Sequence, residues 1–384
     1  MRWKNKGHEF DEIGKRFEAI NKIYIYGAGA GGGIDAAVLL KGIGADVVFV
    51  DRNIAAQKKY LNIDVITHEQ LEINNNNSII VLSMGLFNTG LILKQLELKG
   101  YVYGKNLFDI KSFLGFYIYI IALYKYKKCI MLDGGVMAIY RCSLKCKNCM
   151  GGFPYMSNPP QVSLAQFKKD ADIYFNNIDY TLSFGLGGAE IMMCKNLDAY
   201  IEYVMENFAH QIWKFSFLTN GTILPVKNII ELLKRYQIDV VVSNYSSVKN
   251  WEDKFQKLKA VMNENGVHVR TIDYENWINM GWTENTYKED IGDLFDICGM
   301  QCRVVHDGKL NYCIHGMTSN EAIFHADITD DEFDLLSNDS RKKYQLVEYH
   351  LGFNKNGDLK MCHYCNGYIN INNKTVSVAK QLNL

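Results

Sequence analysis

The apolar positions fall into two alternating rhythms. Continuous apolar runs at Lys22–Tyr26, Ala45–Val50 and Ser78–Ser83 have the length and composition of strands buried on both faces. Between and after them, Ile34–Ile43 and Leu86–Lys99 have helical length, and Glu9–Asn21 reads as a short amphipathic helix before them. A second series follows. Strands are predicted at Cys129–Leu132, Tyr180–Gly185, Lys214–Leu218, Asp239–Ser243 and Val267–Thr271. They alternate with helices at Ser163–Asn176, Leu197–Phe208, Val226–Tyr236 and Trp251–Asn265, the first with Ser163 as its N-cap. Strands alternating with helices of this length mean parallel β/α units. The pattern predicts an α/β protein in four parts: residues 1–110, a connecting helix at 111–128, a second β/α series at 129–290, and a tail at 291–384. The longest apolar run, Phe113–Tyr124, is shorter than the roughly 20 residues that cross a bilayer, so a buried helix rather than a membrane span is expected.

Composition narrows the function more than the fold. Lys+Arg and Asp+Glu are 42 each, so the net charge is zero and no basic footprint for nucleic acid is present. The start, Met1-Arg2-Trp3-Lys4, does not read as a secretory leader, and a cytoplasmic location is expected. In that setting ten cysteines point to metal rather than disulfides. Eight of them group as Cys142, Cys146, Cys149 and as Cys298, Cys302, Cys313, Cys362, Cys365; Cys129 and Cys194 read as small core residues.

Cys142, Cys146 and Cys149 stand at C-x3-C-x2-C spacing. Three thiolates this close can hold three corners of one cubic iron–sulfur cluster. With no fourth ligand nearby, one iron would stay open to an outside ligand, as a position does in catalytic metal sites. A zinc site or unrelated buried thiols are the alternatives. The loop resembles the cluster loop of the radical S-adenosylmethionine superfamily, apart from Asn148, where those loops usually carry an aromatic residue. The resemblance implies a partial (β/α)6 TIM-like barrel and a 4Fe-4S cluster whose open iron is chelated by S-adenosyl-L-methionine. It also implies formation of a 5′-deoxyadenosyl radical and an external electron donor such as flavodoxin or ferredoxin. Gly187-Gly188-Ala189-Glu190 resembles the segment that holds the amino group of S-adenosylmethionine, with an inserted Ala189, and Thr219-Asn220-Gly221 resembles another strand end of the superfamily. Asn220, Ser243, Asn244 and Arg270 would then contact ribose or carboxylate; each alone reads equally as a solvated loop residue.

The tail adds Cys298, Cys302, Gly308 and Cys313, then Cys362-His363-Tyr364-Cys365. A hairpin around Gly308 would bring Cys313 back near its start. This pattern resembles the twitch extension, a truncated SPASM domain, which implies a second 4Fe-4S cluster on four of these five cysteines. Spacing favours Cys298 over Cys302, and a structural zinc is the alternative. Near the start, Gly27, Gly29 and Gly32 fit G-x-G-x-x-G after a strand, with Asp51 where a ribose-binding acid would sit. The unit is predicted to stop after too few strands for a full dinucleotide domain. It resembles the Rossmann-like half-domains attached to sugar-modifying enzymes of bacterial surface-glycan pathways; a tight turn with no ligand is the alternative. The expected function is C–H abstraction leading to dehydrogenation or epimerisation of a small-molecule substrate, a sugar or nucleotide sugar. The rival readings are a ribosomal-peptide maturase and a non-enzymatic iron–sulfur or zinc scaffold.

Overall fold

The computed structural model describes residues 1–29, 31–51, 62–71, 77–84, 86–284, 291–300, 302–368 and 371–382. The chain opens with a five-stranded, all-parallel sheet in the order β3-β2-β1-β4-β5. Its strands are β1 (Lys22–Tyr26), β2 (Val47–Val50), β3 (Val65–Ile66), β4 (Ser78–Leu82) and β5 (Leu107–Asp109). Neither face is left to water: β2 and β4 are buried along their whole length, as continuous apolar runs require. Two strands more than the apolar runs predict are present, because β3 and β5 are too short to leave a periodic signal. The first helix is likewise shorter than expected, Asp11–Lys15 in place of Glu9–Asn21.

Chain direction then passes through Ile110–Ser112, a π-turn at Phe113–Tyr117 and the helix Ile118–Tyr126. Ile118 to Tyr124 are all buried, the environment expected of this apolar run. No helix of the described residues is long and apolar enough to cross a membrane.

The second sheet has eight strands. β6 (Ile130–Ile139), β7 (Tyr180–Gly188), β8 (Ile212–Thr219), β9 (Asp239–Ser243) and β10 (Val269–Ile272) are parallel neighbours in sequence order. The short β11 (Trp277–Ile278) leaves this sheet. β12 (Val304–His306) then joins the far edge, parallel to β6, and β13 (Lys309–Asn311) and β14 (Glu332–Asp334) extend it antiparallel. The sixth parallel strand therefore lies beside the first one rather than beyond the fifth. β15 (Thr375–Val376) pairs with β11 in a separate ribbon.

β6 is ten residues long, where the apolar run marks only Cys129–Leu132. The sequence Asp133-Gly134-Gly135 imitates a turn. Here the glycines instead allow close approach: a Cβ on Gly135 would run into the Gly185 carbonyl of β7, and one on Gly134 into the Tyr174 hydroxyl.

The first sheet's helix Gly31–Gly42 packs against β7, and a Cβ on Gly42 would strike the ring of Tyr180. Tyr180 opens β7, and Lys214, near the start of β8, acts electrostatically on Asp35 of the same helix. The first unit thus sits under the N-terminal ends of the second sheet's strands. Ile23, Leu39 and Phe108 of the first unit share one hydrophobic core with Phe184, Val240 and Leu346 of the rest.

Candidate active site

The opposite, carboxyl end of the parallel strands carries the cysteine loop, where active sites of β/α folds gather. β6 runs into Tyr140-Arg141-Cys142, and the end of β7 zips along this exit. Ala189 N donates to Ile139 O at 3.0 Å and Glu190 N to Arg141 O at 2.9 Å. Gly188, with φ of +135°, has to be glycine here, since a Cβ would overlap the Ile139 carbonyl.

Glu190 is 0% exposed. Its carboxylate does not reach outward; it accepts from Thr219 Oγ1 (2.7 Å), Asn220 N (2.7 Å) and Met192 N (3.1 Å). Burial raises its pKa, and these three donors oppose the rise. Glu190 therefore fixes the Thr219-Asn220-Gly221 turn. Asn220 in turn donates from Nδ2 to Ser143 Oγ at 2.9 Å and to Cys142 Sγ at 3.5 Å. Trp251, 1% exposed and stacked on Phe255, donates from Nε1 to Asn220 O at 2.7 Å. A relay from Glu190 through Asn220 thus holds the first cysteine.

Two of the three cysteines of the loop, Cys142 and Cys146, accept N–H groups in hydrogen bonds, and amides flank the third. Leu144 N points at Cys142 Sγ (3.4 Å), Gln381 Nε2 at Cys146 Sγ (3.3 Å), and the amides of Gly151, Phe153 and Gly152 favour the thiolate of Cys149. Burial outweighs these donors in the free thiols, pushing Cys146 up to about 12 and Cys149 up to about 11, with Cys142 also raised. Cys146 feels charge on both Cys149 and Cys142, and Cys149 feels charge on Cys142. A neutral thiol sulfur accepts such donors only weakly, whereas thiolates bound to iron would use them fully.

The other expected residues divide. Ser243 is buried at the end of β9. Asn244 is engaged within its own loop, donating to Asp273 Oδ1 at 2.7 Å and accepting from Ser246 N at 3.0 Å. Arg270 lies not at a strand end but within β10, exposed, opposite Val241. Val241 is itself buried, so the exposure of Arg270 reflects its place on β10, the edge strand of the sheet.

Of the five cysteines in the tail, Cys298, Cys313, Cys362 and Cys365 line one cavity, with Trp282 and Met280. Cys302 does not line it. Its thiol, raised to about 12 by burial, feels Cys313 on one side and Asp133 of β6 on the other. The hairpin at Gly308 (φ +74°) returns the chain as the sequence predicts, with Ile314 N donating to Cys302 O at 3.1 Å. Amides again point at sulfur: Gly316 N to Cys313 (3.4 Å) and Gly367 N to Cys365 (3.2 Å). Trp282 joins the two cysteine groups, since its Nε1 donates to Met150 O, next to Cys149, at 2.6 Å. Asp331 holds the last pair, accepting from Lys360 N at 2.8 Å and Met361 N at 3.4 Å.

In the first unit, Gly27 (φ +81°) makes the turn after β1, and Asp51 Oδ2 accepts from Ala28 N at 3.0 Å. Gly32 packs internally, since a Cβ there would meet Ile110. Gly29 and Asp51 thus flank one turn, in the unit whose helix packs against the N-terminal end of β7.

No family model matches the sequence, and no curated protein matches it. Solved structures similar to it are those of radical S-adenosylmethionine enzymes. BtrN in complex with AdoMet and 2-DOIA is 15% identical, with a TM-score of 0.40, covering 66% of this chain and 96% of that one. Streptococcus suis SuiB bound to S-adenosylmethionine is 19% identical, with a TM-score of 0.31, covering 48% and 44%. A polyhistidine-tagged anSMEcpe with bound AdoMet is 12% identical, with a TM-score of 0.38, covering 56% and 80%.

Proposed function

We propose that this chain is a radical S-adenosylmethionine enzyme with two iron–sulfur sites. Cys142, Cys146 and Cys149 would hold the first 4Fe-4S cluster, and Cys298, Cys313, Cys362 and Cys365 the second. The observation that carries the reading is the set of N–H groups turned towards four of these sulfurs, those on Cys142 and Cys146 at the carboxyl end of a parallel sheet and those on Cys313 and Cys365 around the tail cavity.

With S-adenosylmethionine bound, the first cluster supplies a 5′-deoxyadenosyl radical for hydrogen abstraction from carbon. The chain's own residues position and shield that chemistry. Glu190 holds the Thr219–Gly221 turn and Asn220 holds Cys142, so Glu190 acts as a positioning residue rather than as a ligand of the amino group. The main chain at Gly187 and Gly188, with Ser243 and Asn244, remains the proposed wall for S-adenosylmethionine; Arg270, exposed within β10 and away from the strand end, is left out of it. Residues 129–290 would form the radical module and 291–384 the auxiliary-cluster extension. Residues 1–110 would serve as a Rossmann-like unit, joined to the module by 111–128.

The substrate reading is dehydrogenation or epimerisation of a sugar or nucleotide sugar, with a flavodoxin or ferredoxin as electron donor. The position of the first unit refines it. A nucleotide held at Gly27, Gly29 and Asp51 would lie beneath the second sheet, so that unit acts as a support or a remote binding site and does not deliver substrate to the cysteine loop. The test is anaerobic reconstitution followed by iron analysis and S-adenosylmethionine cleavage. About eight irons are expected in the wild type and about four in the Cys142→Ala/Cys146→Ala/Cys149→Ala variant. Cleavage retained by that variant, or a wild type holding zinc and no iron, overturns the reading.

A further inference from the structure

We propose that the segment Thr375–Leu382 is a strap that sets the environment of the Cys146 sulfur, with Gln381 as a positioning residue that donates a hydrogen bond to it. This rests on the reading of Cys146 as a cluster ligand.

The strap is anchored before it reaches the loop. β15 pairs with β11, with Trp277 opposite Val376, and Ser247 Oγ donates to Val378 O at 2.7 Å. Ala379 is then 1% exposed in the left-handed region, at φ +49°. That conformation costs a non-glycine residue roughly 1–2 kcal/mol and persists only where surrounding contacts enforce it. The turn delivers residues 380–382 alongside the cysteine loop as an added strand. Lys147 N donates to Lys380 O at 2.7 Å and Leu382 N to Lys145 O at 2.8 Å.

Gln381, between these two bonds, uses both ends of its amide. Oε1 accepts from Lys145 N at 2.8 Å; Nε2 donates to Cys146 Sγ at 3.3 Å and to Ala379 O at 2.6 Å. The carboxamide is thus locked with its N–H aimed at sulfur, since turning it over would set Nε2 against the Lys145 amide. Cys146 itself is 6% exposed, covered by Leu144, Ala379 and Trp277 of the same cluster. Hydrogen bonds to cluster sulfurs and exclusion of water are two of the means by which a protein sets cluster potential. A donor to a ligand sulfur favours the more negative, reduced state and therefore raises the potential.

Two variants of the full chain separate the parts. Gln381→Met keeps the length and removes all three side-chain bonds. Gln381→Glu keeps an acceptor for Lys145 N, removes the donor and adds a negative charge. In the protein without iron, amide hydrogen exchange at Lys145 is expected to rise about tenfold in Gln381→Met and to stay slow in Gln381→Glu. In the reconstituted protein, the midpoint potential of the cluster on Cys142, Cys146 and Cys149, read by electron paramagnetic resonance titration, is expected to fall in the order wild type, Gln381→Met, Gln381→Glu. Iron content and melting temperature should stay as in the wild type. Unchanged potentials in both variants, or a Lys145 amide that exchanges equally fast in the wild type and Gln381→Met, overturn the proposal. A wild type that takes up no iron fails the functional reading instead, and the exchange arm still decides where Gln381 lies.

Discussion

Glu190→Gln puts the relay behind Cys142 to a quantitative test. In the wild type one carboxylate oxygen accepts from Asn220 N, and the other from Thr219 Oγ1 and Met192 N. Glutamine has the same shape but one oxygen. Whichever way it turns, a buried backbone N–H, of Asn220 or of Met192, faces an NH2 group. An unmet buried donor costs about 1–3 kcal/mol, and the charge assistance of the remaining bonds is lost as well. Removing a buried charge offsets part of this, so a net loss of about 2 kcal/mol is expected, roughly a thirtyfold shift in the folding equilibrium. Glu190→Ala strands all three donors and should cost more, about 3–5 kcal/mol. The assay is urea denaturation of the iron-free protein, with exposed Glu206→Gln as the control. The reconstituted Glu190→Gln protein should also cleave S-adenosylmethionine more slowly, because Asn220 no longer holds Cys142 and Ser143 in place. A Glu190→Gln protein within about 0.5 kcal/mol of the wild type would refute the claim that this carboxylate organises the turn.

Cys302→Ala should leave the iron content of the reconstituted protein at about eight, whereas Cys313→Ala should lower it to about four, since only Cys313 of the two lines the tail cavity; equal iron losses would contradict that division. Burial, with Asp358 and Glu332 nearby, raises Asp331 to about 6 against the amides of Lys360 and Met361. An acid whose folded pKa is raised contributes stability at low pH that is lost as pH climbs from its unfolded value, 3.8, through about 6. Denaturation of the wild type should therefore show a loss on the order of 2–3 kcal/mol over that window, and Asp331→Asn should flatten it; a wild-type profile matching that of Asp331→Asn would refute the assignment.

What can be read from the sequence is local. The spacing of Cys142, Cys146 and Cys149, the alternation of apolar runs with helices, and the turn at Gly308 are each set by a few neighbouring residues. They appear in the structure at their predicted places. The misses are long-range or ambiguous. Gly134 and Gly135 carry the same signature in a close-packed strand as in a turn, so the apolar run marks only the first part of β6. The pairing of β12 with β6 joins positions far apart in the chain, and apolar periodicity does not encode which edge a strand joins. Glu190 stands out as a residue, but the inward aim of its carboxylate depends on Thr219 and Asn220 being brought beside it. Gln381 has no signal at all, since a polar residue among the apolar ones of Val376-Ser377-Val378-Ala379-Lys380-Gln381-Leu382 resembles the outward position of any short strand.

The helix Gly31–Gly42 lies flush against β7 with no room for a single added methyl group at Gly42, and its apolar face is continuous with the core of the second sheet. The first unit therefore cannot be treated as a detachable bead on a linker. Cutting the chain near residue 128 would strip Ile118–Tyr124 of their cover on one side and bare a greasy floor under the strands on the other. Such fragments would be expected to aggregate rather than fold, and the intact chain to melt in one step. Evolutionary exchange of this unit for another would then demand a matched surface rather than a simple join, and a ligand bound at Gly29 would raise the melting point of the whole molecule, cysteine loop included.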